Sequence, residues 1–439
     1  MIDRLIMLWH YLRACGRFSR WRDRGALEAW QEKMTQRHLV RVTEKSRHFR
    51  KFADEHGISN WREWPLTGKA EMMRCFDEWN TAGIRLDDAW KFALEAERTR
   101  DFVTTLNGMT VGLSSGTSGS RGVFLASRSE RSLWAGTLLA RVLRGTLTHR
   151  HRAALFLRAD SPLYQTLGSR RFRFEFFDLM QPIEDQWPRL HDLHPTILAA
   201  PPRALVRLAS HPDAAGLLAP PCILLGVADV LDDADRRRIT DGFRCDPGQI
   251  YQATEGFLAA TCPHGRLHWN EDAVIIEKQW LDAAHTRYAP VITDFRRFTQ
   301  PIIRYRLDDV IVEDDGSPCP CGSVFGTLAA IEGRCDDTLV LPKLDGTRDV
   351  TVFPDFVRRA FTLSVPASVD FSVVQTTPRE WNVALSQDCA MEPVQREVNA
   401  LCEPLGARTP ALHRVPWAVR PLTEKLRRVR CEMRRTPES

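Results

Sequence analysis

The chain contains no apolar run approaching the roughly 18 residues that a membrane-crossing helix needs, so no membrane span is expected. Its early apolar run, Leu5 to Trp9, is short and flanked by Asp3, Arg4 and His10. It predicts an amphipathic helix rather than a signal peptide. No His-Glu-x-x-His run and no Ser-His-Asp order is evident, so the sequence gives no sign of zinc-peptidase or serine-hydrolase chemistry. No internal repeat or low-complexity tract is present, which excludes solenoids and extended linkers. Lysine is scarce. The net charge of +5 is carried mostly by Arg, much of it scattered among Asp and Glu. That pattern reads as a solvated surface and gives no reason to invoke nucleic acid, although it would suit an anionic cofactor.

What is present is a soluble globular composition, 43% hydrophobic and 27% charged, over 439 residues, enough for two structural units. Residues 1 to about 100 show helical spacing. From Thr104 to about Ile331, short β-rich runs alternate with helical stretches. Ala153–Leu157, Thr196–Ala200, Cys222–Leu225 and Val274–Ile276 are expected as buried strands. Phe172–Phe177 is expected as a strand packed on both faces. Composition shifts after Gly333, and strand-like runs then alternate with amphipathic ones. The expected fold class is therefore α/β: a large layered α/β domain over 1–333, with a helical start, and a smaller α+β domain over 334–439. Eleven cysteines argue for a reducing compartment, most of them, such as Cys15 and Cys75, expected as buried free thiols, and the cytoplasm is the location that follows.

The stretch richest in chemistry is Leu113 to Gly122, L-S-S-G-T-S-G-S-R-G. Its glycines let the backbone turn tightly, and its N–H groups and hydroxyls can cradle an anion. It is not a Walker loop, because no Lys-Ser/Thr pair follows the last Gly. A flexible turn is the plain alternative. A second constellation is Cys262 and His268 with Cys319-Pro320-Cys321-Gly322. Three thiols and one imidazole suit a closed tetrahedral structural Zn²⁺ site, with His264 as the alternative imidazole.

Downstream lie Tyr251-Gln-Ala-Thr-Glu-Gly256, Pro301-Ile-Ile-Arg-Tyr-Arg-Leu-Asp-Asp309 and Gly333-Arg-Cys-Asp-Asp337. With the Ser/Gly loop, their order and spacing resemble the signatures of the adenylate-forming (acyl-adenylate) enzyme superfamily, although Gln252 replaces a Gly. Pro65-Leu-Thr-Gly-Lys69, Glu271-Asp272 and the cysteines resemble the phenylacetate–CoA ligase-like branch, some members of which hold zinc.

The resemblance implies an ATP- and Mg²⁺-dependent ligase with a mobile C-terminal domain. It would adenylate a small carboxylic acid, aromatic by analogy with the branch, and pass the acyl group to a thiol of CoA or phosphopantetheine. Ser114, Ser115, Gly116, Thr117, Ser118 and Gly119 would hold phosphate, with Thr117 as a catalytic hydroxyl and Arg121 as a substitute cation. Glu255 would organise Mg²⁺ beside Thr254, its plain alternative being a helix cap. Tyr251 would lie against adenine, or else be a core tyrosine. Asp309 would clamp the ribose, and Arg334 would reach ribose and phosphate. Asp336 matches the hinge. Lys425, in L-T-E-K-L-R-R-V, matches the lysine that neutralises the α-phosphate, but the Gly before it is missing. Residues 341–349 enlarge the hairpin beside the thiol tunnel of the branch, which keeps an acyl carrier protein open as partner. An amine or hydroxyl acceptor, or an inactive nucleotide-binding scaffold, are the alternatives.

Overall fold

The computed structural model describes residues 2–18, 20–21, 23–99, 101, 104–114, 121–143, 149–157, 172–346, 349–366, 369–419, 421 and 427–433. The chain divides into two compact units. One comprises Met1–Leu231, Asp235–Leu307 and Val312–Ala330, the other Asp232–Ala234, Asp308–Ile311 and Ile331–Ser439.

The first unit opens with helices α1 (Ile2–Phe18), α2 (Arg24–Lys45), α3 (Arg47–His56), α4 (Lys69–Arg74), α5 (Phe76–Trp79) and α6 (Leu86–Thr99). Asp23 starts α2 as an N-cap, its carboxylate accepting from the Ala26 N–H at 2.7 Å. The inward face of α2 carries Leu27, Gln31, Leu39 and Val42, and Gln31 donates to the Glu271 carbonyl at 2.8 Å. Arg24 grips the Glu271 carboxylate with both terminal nitrogens, at 2.5 and 2.6 Å. The adjacent Asp272 is fully buried and paired with Arg141 at 2.6 Å. Removing one partner of such a pair leaves a stranded charge and costs about 3–5 kcal/mol. The Glu271-Asp272 pair is thus an anchor of the fold.

Strands β1 (Thr110–Leu113) and β2 (Val123–Ala126) form an antiparallel hairpin, followed by helix α7 (Arg128–Leu143). The main sheet then takes β3 (His151–Leu157), β4 (Phe172–Asp178), β5 (Ile197–Ala200), β6 (Ile223–Gly226), β7 (Gly248–Ala253), β8 (Gly256–Thr261), β9 (Leu267–Trp269), β10 (Val274–Trp280), β11 (Arg287–Asp294), β12 (Ile302–Arg306), β13 (Asp309–Glu313) and β14 (Thr327–Arg334). Its order is β10-β11-β13-β14-β9-β8-β7-β6-β5-β3-β4, with β12 on β11. The stretch from β4 through β7 is parallel, and the four expected runs are the strands β3, β5, β6 and β10. β7, β8 and β9 pair antiparallel.

β4 ends the sheet order, and Phe172–Phe177 is packed on both faces as expected: Phe177 is buried against Phe156, ring centroids 4.7 Å apart, and Phe172 and Phe174 on the opposite face pack against the cluster around Ala135 and Leu139 of α7. One expectation is corrected. Cys222 and Cys245 are joined as a disulfide rather than free. Residues 23 apart in sequence meet because β6 and the end of the helix Asp233–Phe243 lie together, which local sequence does not show.

In the second unit, β15 (Leu339–Leu341) pairs with β16 (Val350–Val352). β17 (Phe371–Thr377), β18 (Glu380–Leu385), β19 (Ala411–Arg414) and β20 (Val429–Cys431) form a sheet of order β19-β18-β17-β20. The helices Pro354–Ser364 and Glu392–Cys402 add Phe361, Val394 and Val398 to a core around Trp381. The protein is thus α/β, with a large sheet-rich part and a smaller α+β part.

Candidate active site and metal cluster

The Ser/Gly loop springs from the β1–β2 hairpin. The Ser114 N–H donates to the Gly122 carbonyl at 2.8 Å, and the Gly122 N–H donates to Ser114 Oγ at 2.8 Å, so the mouth of the loop is closed by two bonds. Ser115, Gly116, Thr117, Ser118 and Gly119 lie outside the described residues. Arg121 donates through Nε to the Ser114 carbonyl at 3.2 Å, and its two terminal nitrogens hold the Glu97 carboxylate. Its charge is already matched.

The mouth opens on a pocket lined by Ser114, Gly122, Lys69, Thr254, Glu255 and Arg297. They come from four separate segments of the chain, and the bonding explains why they meet. Thr67 stitches the Pro65–Lys69 segment to β12: its N–H donates to the Arg304 carbonyl, and its carbonyl accepts from the Arg306 N–H, both at 2.9 Å. That brings Lys69, at the start of α4, beside Gly122; a Cβ at Gly122 would stand 3.1 Å from Lys69 Cε. The next residue of β12, Tyr305, donates to Glu255 Oε1 at 3.1 Å. Thr254 donates to Glu255 Oε2 at 2.9 Å, and Arg297 donates to the Thr254 carbonyl. Glu255 sits in the β7–β8 turn, so it is not a helix cap.

Glu130 fixes the far wall. Its carboxylate accepts from the Phe298 N–H at 2.7 Å, the Thr299 N–H at 2.8 Å and Thr299 Oγ1 at 2.6 Å. It also accepts from Ser127 N and Oγ, both at 2.7 Å. Burial pushes this carboxyl up, but the Thr299 and Ser127 bonds outweigh it and hold it below its ordinary value. The loop so held presents Arg297 and Gln300, and Gln300 in turn accepts from Leu125 N–H at 2.9 Å. Burial raises Asp294, beneath this loop, to about 7, against the opposing charge of Arg297. Lys69, Arg297, Gln300 and Glu130 were not singled out as site residues from sequence. They are ordinary residue types, and only the pairing of β12 with Thr67 and the Glu130 clamp gives them a place.

Tyr251 is buried, its ring centroid 5.8 Å from that of Trp269. Arg304 is held by Glu277 at 3.1 Å and by the Trp64 carbonyl, and Arg306 by Gln279 at 2.6 Å. Both brace their strand.

In the second unit, Asp309 begins β13, and Arg334 ends β14 and donates to Asp308 at 3.1 Å. Asp336 lies in the short 3₁₀ turn Cys335–Asp337, where Arg427 grips Asp337. Only the backbone of Asp336 is described, and Lys425 lies outside the described residues.

The cysteines form a separate cluster in the first unit. The donor atoms of Cys262, His268, Cys319 and Cys321 all lie within 4.8 Å of one another. Cys262 and Cys319 sulfurs are 3.5 Å apart, and Cys321 Sγ is 3.5 Å from His268 Nε2. Tetrahedral zinc with Zn–S bonds of about 2.3 Å spaces its sulfurs by about 3.8 Å, so the donors need little movement. His268 Nδ1 faces the Phe325 carbonyl at 2.9 Å, which leaves Nε2 toward the sulfurs. His268 rather than His264 completes the quartet. Two tight turns shape it, with Gly265 at φ 80° and Gly322 at φ 74°, conformations that suit glycine. Donor set, spacing and backing carbonyl all fit a structural zinc ion.

No family model and no curated relative matches the sequence. Solved structures do match. 2-Hydroxyisobutyryl-CoA ligase, in complex with 2-HIB-AMP, aligns over 92% of this chain and 89% of its own at 16% identity, with a TM-score of 0.66. The same ligase in an open conformation with 2-HIB-AMP and CoA aligns over 91% and 90%, at 16% identity and a TM-score of 0.57. The amide bond synthetase McbA from Marinactinospora thermotolerans aligns over 72% and 68%, at 16% identity and a TM-score of 0.50. The chain thus has the fold of the adenylate-forming ligases.

Proposed function

We propose that the chain is an ATP-dependent, adenylate-forming acid ligase. The observation that carries the reading is the meeting of the Ser114–Gly122 loop mouth with Thr254, Glu255, Lys69 and Arg297 around one pocket, on a fold shared with such ligases. In the first half-reaction, a carboxylate oxygen of the acid attacks the α-phosphorus of ATP; the bond to pyrophosphate breaks, and acyl-AMP forms. Two anions must approach, so cations and N–H donors at the phosphates lower the barrier. Lys69 and Arg297 supply positive charge, and the loop with Ser114 supplies donors. Glu255 would hold Mg²⁺, which would screen the phosphate charge. Asp309 takes the ribose, Arg334 reaches ribose and phosphate, and Lys425 neutralises the α-phosphate. The second unit turns about Asp336 between the half-reactions.

In the second half-reaction, a thiol, that of CoA or of a phosphopantetheine arm, attacks the acyl carbonyl and expels AMP. The amide synthetase among the similar structures favours one second reading, an amine as acceptor. An aromatic acid is the first substrate class to try. Zinc at Cys262, His268, Cys319 and Cys321 is structural in this reading, and the protein works in the cytoplasm.

The test is acid-dependent exchange of labelled pyrophosphate into ATP, run over a panel of aryl and alkyl acids. Exchange with at least one acid supports the reading; none with any acid, from folded protein with Mg²⁺, leaves an inactive nucleotide-binding scaffold. CoA, phosphopantetheinylated carrier protein or an amine, added afterwards, identifies the acceptor.

A further inference from the structure

The ligase reading leaves helix α1 without a task. Its inner face is packed: Tyr11 and Ala14 are buried with Ala135, Leu139 and Leu143 of α7. The approach is close, since a Cβ at Gly136 would stand 2.6 Å from the Met7 carbonyl oxygen and 2.8 Å from the Tyr11 nitrogen, which only glycine permits. Arg141 also donates to the Ala14 carbonyl at 3.1 Å. The helix is therefore fixed to the first unit by one side.

The other side is apolar. Leu5, Leu8, Trp9 and Leu12 are 62, 42, 51 and 59% exposed, at spacings of three, four and seven residues from Leu5 that place them on one stripe. With Ile6, this single helix holds five of the thirteen large apolar side chains exposed among the described residues. Arg13 lies 4.2 Å over the Trp9 ring, and Arg20 is exposed just past the helix.

We propose that the outer face of α1 docks on an anionic lipid surface. The stripe presents on the order of 500 Å² of apolar area, above what scattered exposed residues give but short of the roughly 800 Å² that each partner of a standard protein interface contributes. A second copy seated on it would therefore be held weakly. A bilayer needs no complementary partner. It accepts an apolar helix face a few ångströms into the headgroup boundary, with cations at the rim. Here the rim is positive, Trp9 is the residue type that settles at headgroup depth, and Arg13 beside it can pair with a lipid phosphate. The overall charge of +5 has the matching sign. This is attachment from one side; no helix of the described residues is long and apolar enough to cross.

The test is sedimentation of the full chain with large vesicles, either pure phosphatidylcholine or an equal mixture with phosphatidylglycerol. Binding is expected to the mixture, weakening with salt. Leu8→Glu with Leu12→Glu should lower the partition coefficient at least about tenfold, and Arg13→Ala about threefold to fivefold. These positions lie outside the pocket, so pyrophosphate exchange and the thermal midpoint stay at wild-type levels, and failure here is separable from failure of the ligase reading. No binding to the mixture overturns the proposal, as does equal binding by the double variant. A concentration-dependent dimer, abolished by the same double substitution, also overturns it by making a second copy the occupant.

Discussion

The Cys/His cluster and the Ser114–Glu255 pocket lie in the same unit, yet they are assembled in opposite ways. The cluster takes its four donors from two short segments, Cys262–His268 and Cys319–Cys321, and two tight turns and one backing carbonyl are enough to aim them. The pocket collects one or two residues at a time from segments as far apart as Lys69 and Arg297, several of them held by partners that are themselves held. A cluster built that way should fail as a structural unit. A pocket built from independent supports should lose function in graded steps while the fold survives.

The sharpest break in that contrast comes from Glu255. Glu255→Ala should cut acid-dependent pyrophosphate exchange on the order of 10²–10³-fold, the loss typical of removing one preorganised charge-stabilising group. Thr254 is part-buried and Tyr305 buried, and each loses one hydrogen bond worth about 1 kcal/mol, so the thermal midpoint should fall by only a few degrees. Calorimetry beside the exchange assay checks both halves; a large stability loss would make Glu255 a structural residue. Cys319→Ser with Cys321→Ser should do the reverse. Elemental analysis should find about one zinc per wild-type chain and none in the variant, and the thermal midpoint should fall by about 10 °C or more, since several kcal/mol are lost at about 2–4 °C each. Metal-free wild type with an unchanged midpoint would remove the zinc assignment.

How much of this could be read from the sequence follows the same divide. The meeting of Cys262, His268, Cys319 and Cys321 was legible because Cys and His in paired short segments have few other uses. The buried strands β3, β5, β6 and β10 announced themselves as short apolar runs. Lys69, Arg297, Gln300 and Glu130 were invisible as site residues, because their meaning arises only when Thr67 joins β12 and Glu130 clamps the loop 298–300. Arg121 looked like the loop's cation; its charge is matched by Glu97, a partner 24 residues away on α6. The edge position of β4 and the Cys222–Cys245 link are facts of topology that local pattern does not carry.

Glu130 tests the middle of the scale. Glu130→Gln keeps the shape but faces an amide N–H₂ toward donors that now have one good acceptor fewer. Exchange should fall about 10- to 100-fold through misplacement of Arg297 and Gln300, a loss of about 1.4–2.7 kcal/mol in the transition state. The pH dependence of stability separates this from a generic core defect. The folded state holds this carboxyl below its ordinary 4.5, so its contribution is complete above that pH and is lost as pH falls through the lower folded value. The midpoint difference between wild type and variant should therefore be largest near neutrality and close below pH 4.5. A constant difference across that range would place the effect elsewhere.

The two cations at the loop mouth give the finest comparison. Lys69 lines the pocket, whereas Arg121 spends its guanidinium on Glu97 and the Ser114 carbonyl. Lys69→Ala should therefore cost about tenfold or more in exchange. Arg121→Ala removes a half-exposed ion pair, and such pairs are worth about 0.2–1 kcal/mol, so exchange should stay within about fivefold of wild type. If Arg121→Ala proved the more damaging, Arg121 would have to leave Glu97 and turn inward when ATP binds. Glu97→Ala, which frees that guanidinium, would then raise the affinity for ATP instead of leaving it unchanged.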